Sequence, residues 1–138
     1  MSQLTTYTLT DRNAAKTCST GSVLEPKMGY SRAVRKGNLI FVTGTVGINA
    51  DKTYTADVGA QAKRSLDIIK GAIEALGGKI TDVVRTRMYV TDVSQWEKVA
   101  AVHGQLFADI RPATTIVEVA RLIDAEALIE IEADAVVG

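Results

Sequence analysis

Hydrophobic and polar residues along the chain follow two periods. Between residues 57 and 76, Ala62, Leu66, Ile69, Ile73 and Leu76 recur at spacings of four and three. That is the buried stripe of an amphipathic helix. Asp57 stands where an N-cap belongs, and Gly77-Gly78 where a left-handed C-terminal cap does. Lys63, Arg64, Asp67, Lys70 and Glu74 form the solvated side. Ser94 and Glu97 have capping-box spacing and predict a second helix through Phe107, with Trp96, Val99, Ala100, His103 and Phe107 on its inner stripe.

The remaining apolar positions alternate, the period of strands. In residues 128–136, Ile129, Ile131, Ala133 and Ala135 face one way, and Glu130, Glu132 and Asp134 the other. In residues 83–90, Arg85, Arg87 and Tyr89 oppose Val84, Thr86, Met88 and Val90. Residues 113–119 are rich in β-branched side chains and follow Arg111-Pro112; Thr114, Ile116 and Glu118 share one face. Residues 30–35 and 39–43 flank Lys36-Gly37-Asn38, a turn of hairpin length, and the first places Tyr30, Arg32 and Val34 on one side. Residues 39–42, LIFV, are apolar on both sides, so burial on both faces is expected. Residues 6–9 read as a first short strand, and residues 11–27 as a polar, irregular loop.

This order predicts an α+β fold, a sheet with two helices on one face, in a single domain over residues 1–138. Two helices cover one side of a sheet, yet LIFV, Val84, Met88, Val90 and Ile116 supply apolar groups to more than one side. Self-association is the physical expectation.

Composition narrows the chemistry. Sixteen basic residues balance sixteen acidic ones, so no general attraction to nucleic acid or membrane surfaces is expected. Cys18 is the one cysteine, which excludes an intramolecular disulfide. No apolar run approaches the roughly 20 residues of a membrane span, and residues 1–10 lack the pattern of a signal peptide. A cytoplasmic protein is the expectation. One histidine and one distant cysteine cannot assemble a zinc site. Glu130 and Glu132 would suit magnesium, but such residues more often form a solvated sheet face, and no metal is assigned. Neither GxxxxGK nor GxGxxG occurs. A Ser-His-Asp triad would need His103, which its helix turns inward.

Three features suggest a site. Gly44 fits either a bulge at a strand end or close backbone approach to a ligand. Arg85 and Arg87 beside Tyr89 fit surface ion pairs or recognition of an anion. The third is the proline-led strand of residues 113–119 close in sequence to the acid-lined strand of residues 128–136, with polar groups on a face of each.

RPATTIVEVARL followed by IEIEADAV resembles the C-terminal signature of the reactive-intermediate deaminases, the Rid family, also called YjgF or endoribonuclease L-PSP. GYSRAVRKGNLIFVTGTVG and DVGAQAKRSLDIIKGAIEALGGKITDVVRTRMYVTDV match the family's middle segments in order. The resemblance implies a chorismate-mutase-like fold with a mixed sheet, assembled as a homotrimer with ligand clefts between subunits. It implies that Tyr30, Thr43 and Gly44 line the cleft, that Tyr89 reaches a neighbour's cleft, and that Glu130 positions a water. In deaminating members that water attacks a small imine such as 2-aminoacrylate, releasing ammonia and a 2-keto acid without a cofactor. An arginine usually clamps the imine's carboxylate; Thr114 stands in its place here.

Losing such a charged hydrogen bond costs roughly 1.5–3 kcal/mol, so simple 2-aminoacrylate is expected to be a poor substrate. Ile116 shares the strand face of Thr114 and is assigned to the ligand with it. Arg87, two residues from Tyr89, is the favoured replacement cation, with Arg32, on the face of Tyr30, as the alternative. Two readings stand: an imine or enamine hydrolase, and a trimer that binds a small metabolite, anionic or neutral, without turning it over. Ribonuclease action, from the family's older label, is weakened by the neutral charge and the absence of an aromatic stacking row.

Overall fold

The computed structural model describes residues 3–138; the first two residues of the expected domain lie outside the described residues. Seven strands form one sheet: β1 (Thr8–Arg12), β2 (Ala15–Ser19), β3 (Ala33–Lys36), β4 (Leu39–Val46), β5 (Val83–Val90), β6 (Ala113–Glu118) and β7 (Ile129–Val136), in the order β1-β2-β3-β4-β7-β5-β6. The sheet is mixed. β5 and β6 run parallel, and every other neighbouring pair is antiparallel. Helices α2 (Val58–Ala75) and α3 (Trp96–Phe107) are the long ones, and a short helix, α1 (Leu24–Met28), adds a third to the predicted two.

The helix α2 forms as its pattern predicts. The Asp57 carboxylate accepts the Ala60 amide at 2.9 Å, and Ala62, Leu66, Ile69, Ile73 and Leu76 are at most 4% exposed. Gly77 takes φ +87°, which lets its amide reach Glu74 O and that of Gly78 reach Ile73 O, closing the helix. The stripe packs on Ile40 and Val42 of β4 and on the alternate residues Ile129, Ile131, Ala133 and Ala135 of β7, all buried.

Several expectations are corrected. Residues 11–27 are not a loop: they hold β2 and α1. Arg12 pairs with Ala15, leaving Asn13 and Ala14 as a two-residue turn with φ of 47° and 61°. All of β1 is exposed, so this hairpin leaves no alternation in the sequence to read. Within the chain LIFV is buried on one side only, with Leu39 41% and Phe41 48% exposed, because α2 covers a single face. A register shift between Val83 and Arg85 buries Val83 and turns Val84 outward. The predicted capping box at Ser94 does not form. The Asp92 carboxylate accepts the Ser94 amide instead and caps a 3-10 turn, Val93–Gln95, ahead of α3. Along α3, Val99 and Phe107 are buried and His103 half-buried as expected, while Trp96 and Ala100 are exposed.

Candidate functional site

Glu130 lies on β7 between Val46 of β4 and Tyr89 of β5. Alternation along β7 sends Ile129 and Ile131 toward α2, so Glu130 stands on the opposite face of the sheet. Beside it the β4–β7 ladder breaks in a bulge between Val42 and Thr45, which takes Thr43 and Gly44 out of register. A β-carbon on Gly44 would stand 2.8 Å from Cδ of Glu130, so the glycine makes the room that the glutamate fills. Of the two sequence readings of Gly44 the bulge is observed, and the group that meets its α-carbon is Glu130 of the same chain.

Burial raises the Glu130 pKa above the ordinary carboxylate value; the charge of Arg32 opposes the shift and that of Glu132 adds to it. No described residue donates a hydrogen bond to the Glu130 carboxylate. Two phenols stand close enough to feel its charge. The Tyr89 hydroxyl donates to Glu132 at 3.1 Å and that of Tyr54 donates to Asp124; burial raises both phenol pKa values. A half-buried carboxylate without a donor, walled by tyrosines, is suited to hold a water and accept its proton.

Arg32 approaches from the other side of Gly44. Its Nη1 donates to Gly44 O at 2.9 Å and to Thr45 Oγ1 at 3.2 Å, its Nε donates to Thr20 Oγ1 at 3.4 Å, and its guanidinium lies 5.7 Å from the centre of the Tyr30 ring. Arg87, the favoured cation, takes a different position. Its Nη1 lies 3.3 Å from both Glu132 and Asp134, in a groove of about 420 Å³ that Tyr30 and Thr43 also line. Two carboxylates of its own sheet therefore neutralise it.

Of the predicted residues, Tyr30, Thr43 and Arg87 share that groove, and Gly44, Glu130 and Tyr89 adjoin one another across β4, β7 and β5. Thr114 and Ile116 are not brought to them. Thr114 pairs in register with Thr86, and Thr86 with the buried Ala133, so its side chain lies on the helix side of the sheet. Thr86 Oγ1 sits 2.9 Å from Thr114 Oγ1 and 2.8 Å from Nε2 of His103, and the Thr114 hydroxyl reaches Pro112 O at 3.3 Å. His103 packs against Phe107 at 4.5 Å between ring centres, and burial lowers its pKa. Whichever way the hydroxyl protons run along this relay, the single proton of Thr114 has an acceptor inside the chain. The relay and Tyr54 were not singled out from the sequence. Thr86, a lone hydroxyl among the apolar residues of its face, was the signal for the relay, and Tyr54 left none.

A family described as endoribonuclease L-PSP matches residues 20–137. The chain belongs to that family. Over 112 residues it is 41% identical to the 2-iminobutanoate/2-iminopropanoate deaminase of Escherichia coli, covering 78% of this chain and 86% of the relative. A Mycobacterium tuberculosis protein of the highly conserved YjgF family has the same fold, with a TM-score of 0.83 and 47% identity over 89% of this chain and 99% of that one. The E. coli TdcF protein with bound serine aligns with a TM-score of 0.74 and 29% identity, over 79% of this chain and 88% of the other. The Rid/YjgF resemblance and the α+β fold it implies are thus those of this L-PSP family member. Among the described residues, no helix is long and apolar enough to cross a membrane.

Proposed function

We propose that this L-PSP family member is a cofactor-independent hydrolase of reactive imines or enamines, acting as a homotrimer in clefts between subunits. Glu130 carries the reading: a carboxylate without a hydrogen-bond donor, partly desolvated, and given space by a bulged glycine. It accepts a proton from a bound water as the water oxygen adds to the imine carbon. Starting from the protonated imine this gives a neutral carbinolamine; the proton then passes from Glu130 to its nitrogen, the C–N bond breaks to release ammonia, and the hydroxyl proton returns to Glu130 as the carbonyl forms. A positioned base of this kind contributes on the order of 10²–10⁴ in rate. Tyr30, Thr43, Gly44 and Tyr89 form the surrounding walls, and Thr114 and Ile116 reach a cleft only by entering it from a second subunit.

The uncovered sheet face, where Leu39, Phe41, Val84 and Val117 are each more than 40% exposed, supports self-association; the number three comes from the family resemblance. The deaminase named among the relatives supports the reaction class. An uncharged residue at position 114 supports a substrate other than simple 2-aminoacrylate. The same observation favours a second reading, a trimer that binds a metabolite without turnover. The neutral net charge speaks against RNA as the substrate.

Ammonia release tests the reading, with the imines generated in place by an amino-acid oxidase across several amino acids. Turnover that falls at least a hundredfold in Glu130→Gln supports the hydrolase. Saturable ligand binding with no ammonia from any imine supports the binding trimer.

A further inference from the structure

We propose that Arg32 is the anion anchor of this protein, binding the carboxylate of a small organic acid whose apolar body lies in the cavity Arg32 lines. The location of this subsite beside Glu130 rests on the hydrolase reading; the binding itself does not.

Arg32 is only 8% exposed. A guanidinium cannot shed its proton, so burial leaves a permanent charge to be satisfied. Its protein partners are Gly44 O, Thr45 Oγ1 and Thr20 Oγ1, none of them a carboxylate. Nη2 donates to no described residue. Both of its protons are left for a group in a cavity of about 590 Å³ bounded by Arg32, Gly44 and Thr45.

The neighbouring charges bear on the choice of ligand. Glu130 feels Arg32 but forms no ion pair with it, and the buried Glu25 reaches it only through Thr20 Oγ1, 3.5 Å from Glu25 Oε2. Arg64 lines the same cavity, yet its three nitrogens are taken by Ile48 O, Gln3 O and Thr5 Oγ1. Lys52 is an exposed cation at the wall, and the carboxylate of Asp124, also at the wall, accepts the Tyr54 hydroxyl. Arg32 is therefore the buried cation of this cavity with a free arm. Arg87 differs in its charge balance: two carboxylates, Glu132 and Asp134, lie 3.3 Å from its Nη1, and it is the more exposed of the two.

The remaining wall sets the shape of the ligand. Leu24, Val46, Ile48 and Ile68 present apolar surface to the cavity, which suits a branched hydrocarbon body better than a three-carbon imine. A planar guanidinium edge meeting a carboxylate gives the head its orientation. Gly44 links the two groups: its carbonyl accepts from Arg32, and its α-carbon faces the Glu130 side chain.

The test is equilibrium binding to the full chain at low ionic strength, by calorimetry, with three probes: 2-oxobutanoate, 4-methyl-2-oxopentanoate and the neutral 4-methyl-2-oxopentanamide. The longer acid is expected to bind at least tenfold tighter than its amide. It should also bind tighter than 2-oxobutanoate, by about fourfold for each added carbon. Arg32→Gln should abolish the difference between acid and amide, and Arg87→Ala should keep it.

Arg32 also holds the Gly44 carbonyl, so its variant can fail to fold. The wild-type protein then decides, through the Nε–H resonances of its arginines on titration with the acid. A shift at Arg32 supports the assignment. A shift confined to Arg87, or equal affinities for acid and amide, overturns it. Acid binding at Arg32 without ammonia release leaves the anchor standing and removes the hydrolase; turnover with acid and amide bound alike does the reverse.

Discussion

Glu130 is held over Gly44, in space that any side chain at position 44 would occupy. The bulge in β4 and the carboxylate on β7 thus form one unit, although 86 positions separate them in sequence.

Gly44→Ala should therefore disable catalysis while leaving the fold nearly intact. The new methyl group meets a flexible side chain and no backbone, so the cost in stability is expected at the low end of overpacking, about 1 kcal/mol. The carboxylate itself must move, and misplacement by an ångström can cost on the order of 10² in rate. Thermal unfolding with ammonia release separates the two effects; full activity in the variant would remove Glu130 from the reaction.

Glu130→Gln should be more stable than the wild type at neutral pH. Because burial raises the folded-state pKa, the fold favours the protonated carboxyl. The stability from that protonation is complete below the unfolded value and is lost as pH rises through the folded one. Urea unfolding should show the variant ahead at pH 7.5 and level at pH 3. Hydrolysis should rise with pH as Glu130 ionises, with a midpoint above the usual glutamate range.

The relay from His103 through Thr86 to Thr114 predicts a different pattern. Thr86→Val leaves the histidine without its hydroxyl partner and should cost about 1–3 kcal/mol. His103 has a lowered pKa, so its contribution is complete above the unfolded histidine value and is lost as pH falls through the folded one. Unfolding measured between pH 8 and pH 5 should show that loss in the wild type and none in His103→Gln. Thr114→Arg restores a cation on the exposed edge strand and should raise ammonia release from 2-aminoacrylate by roughly tenfold. No gain would mean that position 114 lies outside the cleft.

Sedimentation tests the uncovered sheet face. The wild type is expected to run as a trimer at micromolar concentration. Phe41→Asp places a charge on that face beside Leu39 and opposite Asp134, and should yield monomers. A wild-type monomer would contradict the burial argument.

The parts of the fold legible in the sequence are those where one chain buries one face. The stripe of α2, the alternation of β7 and the glycines at the end of α2 needed nothing beyond local pattern. The β1–β2 hairpin was missed because β1 is exposed throughout and the turn runs through Asn13 and Ala14, without glycine. The start of α3 was misread because Asp92 competes with Ser94 for the role of cap. At the site, Glu130 and Gly44 stood out as an acid on an alternating strand and a glycine interrupting one. The choice between Arg32 and Arg87 could not be made that way. It depends on which guanidinium meets carboxylates of its own sheet, and that is set by the pairing of β5 with β7.

The strand that carries Glu130 is also the one that joins the sheet. β7 lies between β4 and β5, which share no hydrogen bonds with each other. A nascent chain emerging from the ribosome with residues only up to 128 holds two ribbons, β1 to β4 and β5 with β6, and no seam between them. Assembly must wait for long-range pairing, the slow kind. The seam and the carboxylate then arrive together, so no shortened product of translation can hold the completed sheet without also holding the group that would act on an imine.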